Sequence, residues 1–545
     1  MPFLSTLLPW LATVLLATLF WQQGGQGVSL PDVPAGRYQC LSYAPFREGQ
    51  TPFDPNLFIS RQQIEEDLNQ LAPLTHCVRT YSATQGQGSV VELAEKKGLQ
   101  VLLGTWIGPD KQINAQQMAA TLAVAKPGVV RALVVGNEVL LRRELNAPQL
   151  IEVLQSMRKQ SSLPITYADV WEFWLQNPQV AEHVDFLTIH LLPYWEDHPV
   201  GVPSALEHVR NILIKMQQAF PGKTILVGEI GWPSAGRSRQ EAIPGRVEQA
   251  RFIREFIALT SQQEIAYNLI EAFDQPWKRF QEGTVGSHWG LFNHQRQVKF
   301  PLTGPVTPLP SWPIPLALGA AFSLVLLLFF AQPHHSFLRR FALALLGMVS
   351  SGLAFWRWQQ LNDASQNFLD WSLGWTGLLL LLLVTLSIAA LLGQHGNSWL
   401  RATPCSLQQL RAILLGRGWA LGISKENIFS GILQAATLFS AALTALCLVT
   451  DGRYRDFPSA LYALPVLLLW LRWLTQGERP QGAQEHILGV LLLLCAAFGV
   501  VIELPVNREA MLWQALIVLM SLPLLSYAAI FRLKQEHPTA PAAPK

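Results

Sequence analysis

From Trp312 onward the chain is a succession of apolar runs: 312–332, 338–357, 373–393, 431–450, 459–475, 486–504 and 511–532. Each is about 17 to 22 residues long, enough for a helix to cross the hydrocarbon of a bilayer. Nothing else in the sequence restricts the fold so tightly. Inside lipid a peptide group finds no water, so each run has to close its own hydrogen bonds as a helix. An eighth apolar run, 3–21, has neither the basic flank nor the small-residue cleavage site of a secretory signal. Residues 1–22 therefore read as a transmembrane anchor or uncleaved signal in preference to a cleaved one, and cleavage would not change the side on which the following domain lies.

Charge sets which way such spans face. With a cytoplasmic amino terminus, the segments on that side carry Arg339, Arg340, Arg401, Arg411, Arg417, Lys425, Arg472, Arg479, Arg532, Lys534 and Lys545. Those opposite carry only Arg357, Arg453, Arg455 and Arg508. This asymmetry obeys the positive-inside rule. It predicts a multi-pass protein of the inner (plasma) membrane, a cytoplasmic tail over 533–545, and an extracytoplasmic, periplasmic domain between the first two spans. The tract 407–425 reads either as an interfacial helix or as a linker. No charged residue falls near the middle of a span, unlike the mid-depth charges of ion-coupled carriers. A net charge of +3 over 545 residues gives no reason to expect nucleic acid as a partner.

Ahead of the spans, polar and apolar segments alternate as in a globular domain, placed at 30–302 and followed by a stiff Pro-rich linker at 303–315. Short β-rich runs recur at 37–43, 76–81, 100–105, 131–136, 164–168, 185–190, 224–228 and 265–270. Helical patterns at 64–72, 147–160, 205–220 and 246–260 separate several of them. The spacing is about 33 residues per unit, that of a roughly 250-residue (β/α)8 barrel. An open doubly wound sheet is the competing architecture, but no GxGxxG follows a strand. The predicted fold is thus α/β: a (β/α)8 TIM barrel followed by seven helical spans over 312–532.

Barrel chemistry sits at the carboxyl ends of the strands. Those positions hold Tyr43, Arg79, Tyr81, Asn137, Glu138, Asp169, Trp171, His190, Tyr194, Trp195, Glu229, Trp232, Glu271 and Trp277. Glu138 and Glu229 each follow a core-like strand and stand roughly three strand-helix units apart, which places them on strands four and seven. Two carboxyl groups at one rim suit retaining cleavage of a glycosidic bond, one attacking the anomeric carbon and one protonating the leaving oxygen. Asn137 is placed to hold a sugar hydroxyl, and packing by Trp232 and the rim aromatics to keep one carboxyl protonated. Taken singly each residue has a plainer reading: Asn137-Glu138 as a turn, Glu229 as an ion-pair partner of Arg79, Glu271 as a partner of Lys278, about half of the aromatics as core. Cys40 and Cys77 open neighbouring strands; they either pair in an oxidising compartment or stay reduced as core residues. Metal-ligand spacings such as CxxC or HExxH are absent, and neither metal nor cofactor is expected.

VVGNEVL (134–140) and ILVGEIGWPSAG (225–236) resemble the two catalytic motifs of glycoside hydrolase family 17, the β-1,3-glucanases of clan A. LSYAPFREGQTP (41–52), VRTYS (78–82), TYADVW (166–171), PYW (193–195), GRSRQEAIPGRVEQARFIREF (236–256), EAFDQPWK (271–278) and TVGSHWGLF (284–292) extend the likeness from about 38 to 295, in order. The resemblance implies a retaining (β/α)8 enzyme with Glu138 as acid/base and Glu229 as nucleophile. It also implies that Tyr43, Tyr81, Asn137, Tyr194, Glu271 and Trp277 line the sugar sites. Arg79 and Trp232 are added to that lining from their strand-end positions.

The likeness is nearest to bacterial members fused to membrane spans, some of which remodel β-1,3/β-1,6-glucans by transfer and some of which carry a nucleotide-sugar transferase domain. This sequence departs from the latter, having no soluble region of that size after the barrel. The expectation is a membrane-anchored enzyme that cleaves β-1,3-glucan and passes the glycosyl unit to another glucan or to water, with a glucan synthase or export component as a fitting partner. The rival is a glucan-binding or export component whose barrel has lost catalysis. A transferase using a lipid-linked sugar would need acidic outward loops, where Asp363, Asp370, Asp451 and Asp456 lie.

Overall fold

The computed structural model describes residues 2–33, 37–394, 398–416, 422–476, 482–503 and 506–525. It falls into two compact units, Gly27–Thr307 and Met1–Gln26 with Pro308–Lys545.

In the first unit eight parallel strands close into a barrel in sequence order. They are β1 Leu41–Ser42, β2 Cys77–Arg79, β3 Gln100–Thr105, β4 Val130–Asn137, β5 Ile165–Val170, β6 Leu187–Leu191, β7 Ile225–Ile230 and β8 Ala266–Leu269. Every predicted strand is present, because strands covered on both faces must be apolar along their length and stand out as runs. The predicted helices appear as Arg61–Leu71, Ala147–Gln160, Val202–Ala219 and Arg246–Gln263; Ser89–Lys96 and Lys111–Val124 are additional. Their starts are chemically marked. Ser60 and Asp110 accept from backbone amides of the first turn, and Asn146 forms a reciprocal box with Gln149. Such caps satisfy amides that the helix itself leaves unpaired.

Leu41 pairs with Val78, so Cys40 and Cys77 are cross-strand neighbours, and they form a disulfide. The start of the Pro-rich tract expected as a stiff linker packs on the barrel. Val306 is buried in the barrel core and bridges Val28, while buried Arg254 donates to the Gly304 carbonyl at 2.8 Å and to that of Pro301. A buried guanidinium needs acceptors, and Gly304 in this tract and Pro301 just before it supply them.

Asp67 ties the outer helix Arg61–Leu71 to the top of β1. Fully buried, it takes a two-pronged contact from Arg296, 3.0 Å to each oxygen, and a bond from the Tyr43 hydroxyl at 3.1 Å. Asp67→Leu strands the buried Arg296 charge and is expected to destabilise the barrel by about 3–5 kcal/mol. Guanidinium unfolding of the full chain, followed by tryptophan fluorescence, checks this; an unchanged midpoint refutes it.

In the second unit five helices are long and apolar enough to cross a membrane: Pro313–Phe330, Phe337–Ala364, Phe368–Gly393, Lys425–Thr450 and Ala483–Glu503. Of the other expected spans, Ser459–Thr475 is an apolar but shorter helix. Arg508–Ser521 and a short turn at Leu522–Leu524 cover part of 511–532; residues 526–532, like the tail 533–545, lie outside the described residues. The run expected at 3–21 is a helix, Pro2–Gly25. Small residues let helices approach closely: a Cβ on Gly347 would meet Ser323 Cα at 2.5 Å, and one on Gly319 would meet Met348 sulfur at 2.8 Å. Within 407–425 the described part holds one short helix, Leu407–Leu414, whose first amide donates to buried Glu485 at 2.7 Å; residues 417–421 lie outside the description.

Candidate active site

The register of the barrel changes where the two glutamates stand. On β6 and β7, Ile189 faces Val227 but His190 faces Glu229, so Gly228 is one residue too many. On β4 and β5, Val134 faces Thr166 and Asn137 faces Ala168, again with one extra residue on the glutamate's strand. Bulges of this kind re-aim the side chain that follows. That is how an aliphatic run can deliver a carboxylate into the barrel mouth. Gly228 accommodates the crowding: a Cβ there would meet Thr188 Cγ2 at 2.3 Å and His190 Cδ2 at 3.2 Å. Gly136, with φ of +87°, turns the chain ahead of Asn137, and Glu138 itself is left-handed at φ +54°. A non-glycine residue in that region costs on the order of 1–3 kcal/mol and persists where surrounding bonds hold it. Here the Glu138 amide donates to Ala168 and its carbonyl accepts from Arg142, at 2.8 and 2.9 Å.

One oxygen of Glu138, one of Glu229 and a ring nitrogen of His190 lie within 4.8 Å of one another. On Glu229 the donors converge on Oε1: Arg79 at 3.0 Å and the Tyr81 hydroxyl at 2.8 Å. Among the described residues no hydrogen bond reaches Oε2. Arg79 also donates to the Gly228 carbonyl at 2.8 Å and to Asn137 Oδ1 at 2.5 Å. Arg79 was expected among the sugar contacts; at 1% exposure it instead spends its bonds on protein groups and fixes Glu229 relative to Asn137. Glu138 is the more open glutamate, its side chain 22% exposed against 6% for Glu229. Burial raises its pKa, but the His190 hydrogen bond and the charges of His190, Arg142 and Arg79 outweigh this and hold its carboxyl below the usual range. The expected apolar protection by Trp232 is therefore not found at Glu138. Trp232 is fully buried and donates to the Ile243 carbonyl at 2.9 Å.

Tyr43 and Tyr194 likewise stand in the packed layer under the rim, with hydroxyls on Asp67 and on the Arg237 carbonyl (2.6 Å). They lend support from below and present no open face. Trp277 is half-buried at the rim, edge-on to Phe46 and Phe53. Glu271 pairs with Lys278 at 3.1 Å; burial pushes its pKa up to about 7 even against that cation. Sequence reasoning passed over Glu282 altogether. Its pKa is raised to about 7, by burial first and, against the Lys278 cation, also by the charges of Glu138 and Glu229, so it shares their field. His190 was named as a strand end without a role; a single histidine in an apolar run reads as core.

Residues 40–290 match the BtgE/BtgC glycoside hydrolase domain. Over 258 residues, 43% of this chain and 82% of the relative, the sequence is 27% identical to a glucan 1,3-beta-glucosidase of Arthroderma benhamiae. Over 268 residues, 45% of this chain and 85% of the relative, it is 26% identical to one of Saccharomyces cerevisiae. Among solved structures it is similar to a glycoside hydrolase family 17 β-1,3-glucanosyltransferase from Rhizomucor miehei, at 23% identity and a TM-score of 0.43, over 49% of this chain and 98% of that one.

Proposed function

We propose, from the premise that this barrel is a BtgE/BtgC-type glycoside hydrolase domain of family 17 and so acts on O-glycosidic bonds, that the protein is a membrane-anchored, retaining β-1,3-glucan transglycosylase. The observation that carries the reading is the approach of the two carboxylates to within 4.8 Å. Retaining enzymes hold their carboxyl groups about 5–5.5 Å apart, whereas inverting enzymes need about 6.5–9.5 Å to admit a water.

In the first half-reaction Glu229 Oε2 attacks the anomeric carbon, the bond to the leaving oxygen breaks, and Glu138 gives that oxygen its proton. The product is a glucosyl ester of Glu229. In the second, the Glu138 carboxylate takes a proton from an acceptor hydroxyl, which attacks the ester and releases Glu229. The depressed pKa of Glu138 in the empty site suits this second role. A glucan hydroxyl as acceptor gives transfer and water gives hydrolysis. We favour transfer, with Asn137, Tyr81 and Trp277 among the groups that meet the sugar.

Five apolar helices supply the anchor. The distribution of Lys and Arg supports an inner membrane with the barrel outside and the carboxyl end in the cytoplasm. The Cys40–Cys77 pair supports the same side, since disulfides persist in oxidising compartments. One experiment addresses reaction and side together: laminari-oligosaccharides, which do not cross a sealed membrane, are added outside spheroplasts expressing the full chain. Products longer than the donor are expected without detergent. Shorter products alone would mean hydrolysis, and turnover only after detergent would place the barrel inside.

A further inference from the structure

His190 touches both halves of the proposed machinery and belongs to neither. It lies on β6, fully buried, with Nδ1 at 2.8 Å from Glu138 Oε1. On its far side Nε2 is 3.4 Å from Arg79 Nη1 and 3.6 Å from Glu229 Oε1. The charged groups around the ring are therefore Glu138 at the end of β4, Arg79 from β2, Glu229 from β7 and, acting through its charge, Asp169 from β5. An ionised carboxylate has only acceptors, so the ring nitrogen 2.8 Å from Glu138 Oε1 carries a proton and donates it there. The ring is held in place by the bulge that aims Glu229: Gly228 leaves the space His190 fills, and its carbonyl accepts from Arg79 and from Asn268 at 2.8 and 2.7 Å.

We infer that His190 is a positioning residue whose Nδ1–H occupies Glu138 Oε1 and so makes Oε2 the oxygen that exchanges protons with the leaving group and the acceptor. Among the described residues Oε2 has no protein partner. The left-handed backbone of Glu138 leaves its side chain without the support of a regular strand, and the histidine supplies it. This inference rests on the assignment of Glu138 as acid/base and adds how that group is oriented.

A role exerted through Glu138 is separable from a role in folding by the leaving group. Departure of a dinitrophenolate needs no proton, whereas departure of a sugar does. His190→Leu keeps the bulk and removes the donor; His190→Asn keeps a donor near the Nδ1 position. In the full chain in detergent, His190→Leu is expected to lower kcat/KM for laminari-oligosaccharides about 100-fold, the scale of general acid catalysis, while that for a dinitrophenyl β-glucoside changes less than about fivefold. His190→Asn should recover most of the loss. Equal losses on both substrates in a variant with unchanged melting, or no loss on either, overturns the inference. A wild-type chain inert on both substrates overturns the glycosidase reading itself, and this inference with it.

Discussion

Glu229→Gln is expected to lower turnover of laminari-oligosaccharides by a factor on the order of 10^4 to 10^6, the range seen when a catalytic nucleophile is removed. Gln is the informative replacement because its Oε1 can still accept from Arg79 and Tyr81, now at 3.0 and 2.8 Å from the carboxylate. Ala would strand a buried guanidinium and confound activity with about 3–5 kcal/mol of destabilisation. Stereochemistry supplies the stronger test. In the proposed double displacement Glu229 attacks opposite the leaving group, so in Glu229→Ala a small anion such as azide is expected to enter from the vacated face and give an α-glucosyl azide from an activated β-glucoside. Retained turnover in Glu229→Gln would rule out Glu229 as the nucleophile, whereas a wild-type chain without turnover would favour a glucan-binding protein in place of an enzyme.

Much of this site could be read from the sequence, and the boundary of what could is physical. Strands of a parallel barrel are covered on both faces, so 100–105 and 224–228 announce themselves as apolar runs and the rim follows by counting. Counting does not reveal bulges. That Glu138 and Glu229 converge depends on one extra residue in each of β4 and β7, and on a left-handed φ at Glu138, none of which has a periodicity. Arg79, Tyr43, Tyr194 and Trp232 were placed on the correct strands, yet depth decides their function, and depth depends on partners far away in sequence, such as Asp67, Arg237 and Ile243. Cys40 and Cys77 could be set on neighbouring strands but not paired without the register between Leu41 and Val78. His190 and Glu282 gain meaning only from what surrounds them: a histidine in an apolar run and a glutamate in a short helix carry no local signature.

Glu138 differs from Glu229 in a way that yields a second large effect. It is the better exposed of the two, is held by His190 on one oxygen only, and sits beside the Arg142 and Arg79 charges. Glu138→Ala should lower kcat/KM on laminari-oligosaccharides by about 10^2- to 10^4-fold, the contribution of a positioned proton donor. On a dinitrophenyl β-glucoside the first step needs no donor, so the glucosyl ester still forms and accumulates, and azide should rescue its breakdown. Because azide then enters on the face opposite the ester, the product is a β-glucosyl azide, the anomer opposite to that from Glu229→Ala. The pH dependence has a definite sign. Donation needs the protonated form, and the surroundings hold Glu138 below the ordinary carboxyl range, so wild-type kcat/KM for laminari-oligosaccharides falls as pH rises from the acid side. With the aryl glucoside that fall should be absent, as it should be for Glu138→Ala on either substrate. If both variants gave the same azide anomer, the two glutamates could not stand on opposite faces of one sugar, and the double displacement would have to be abandoned.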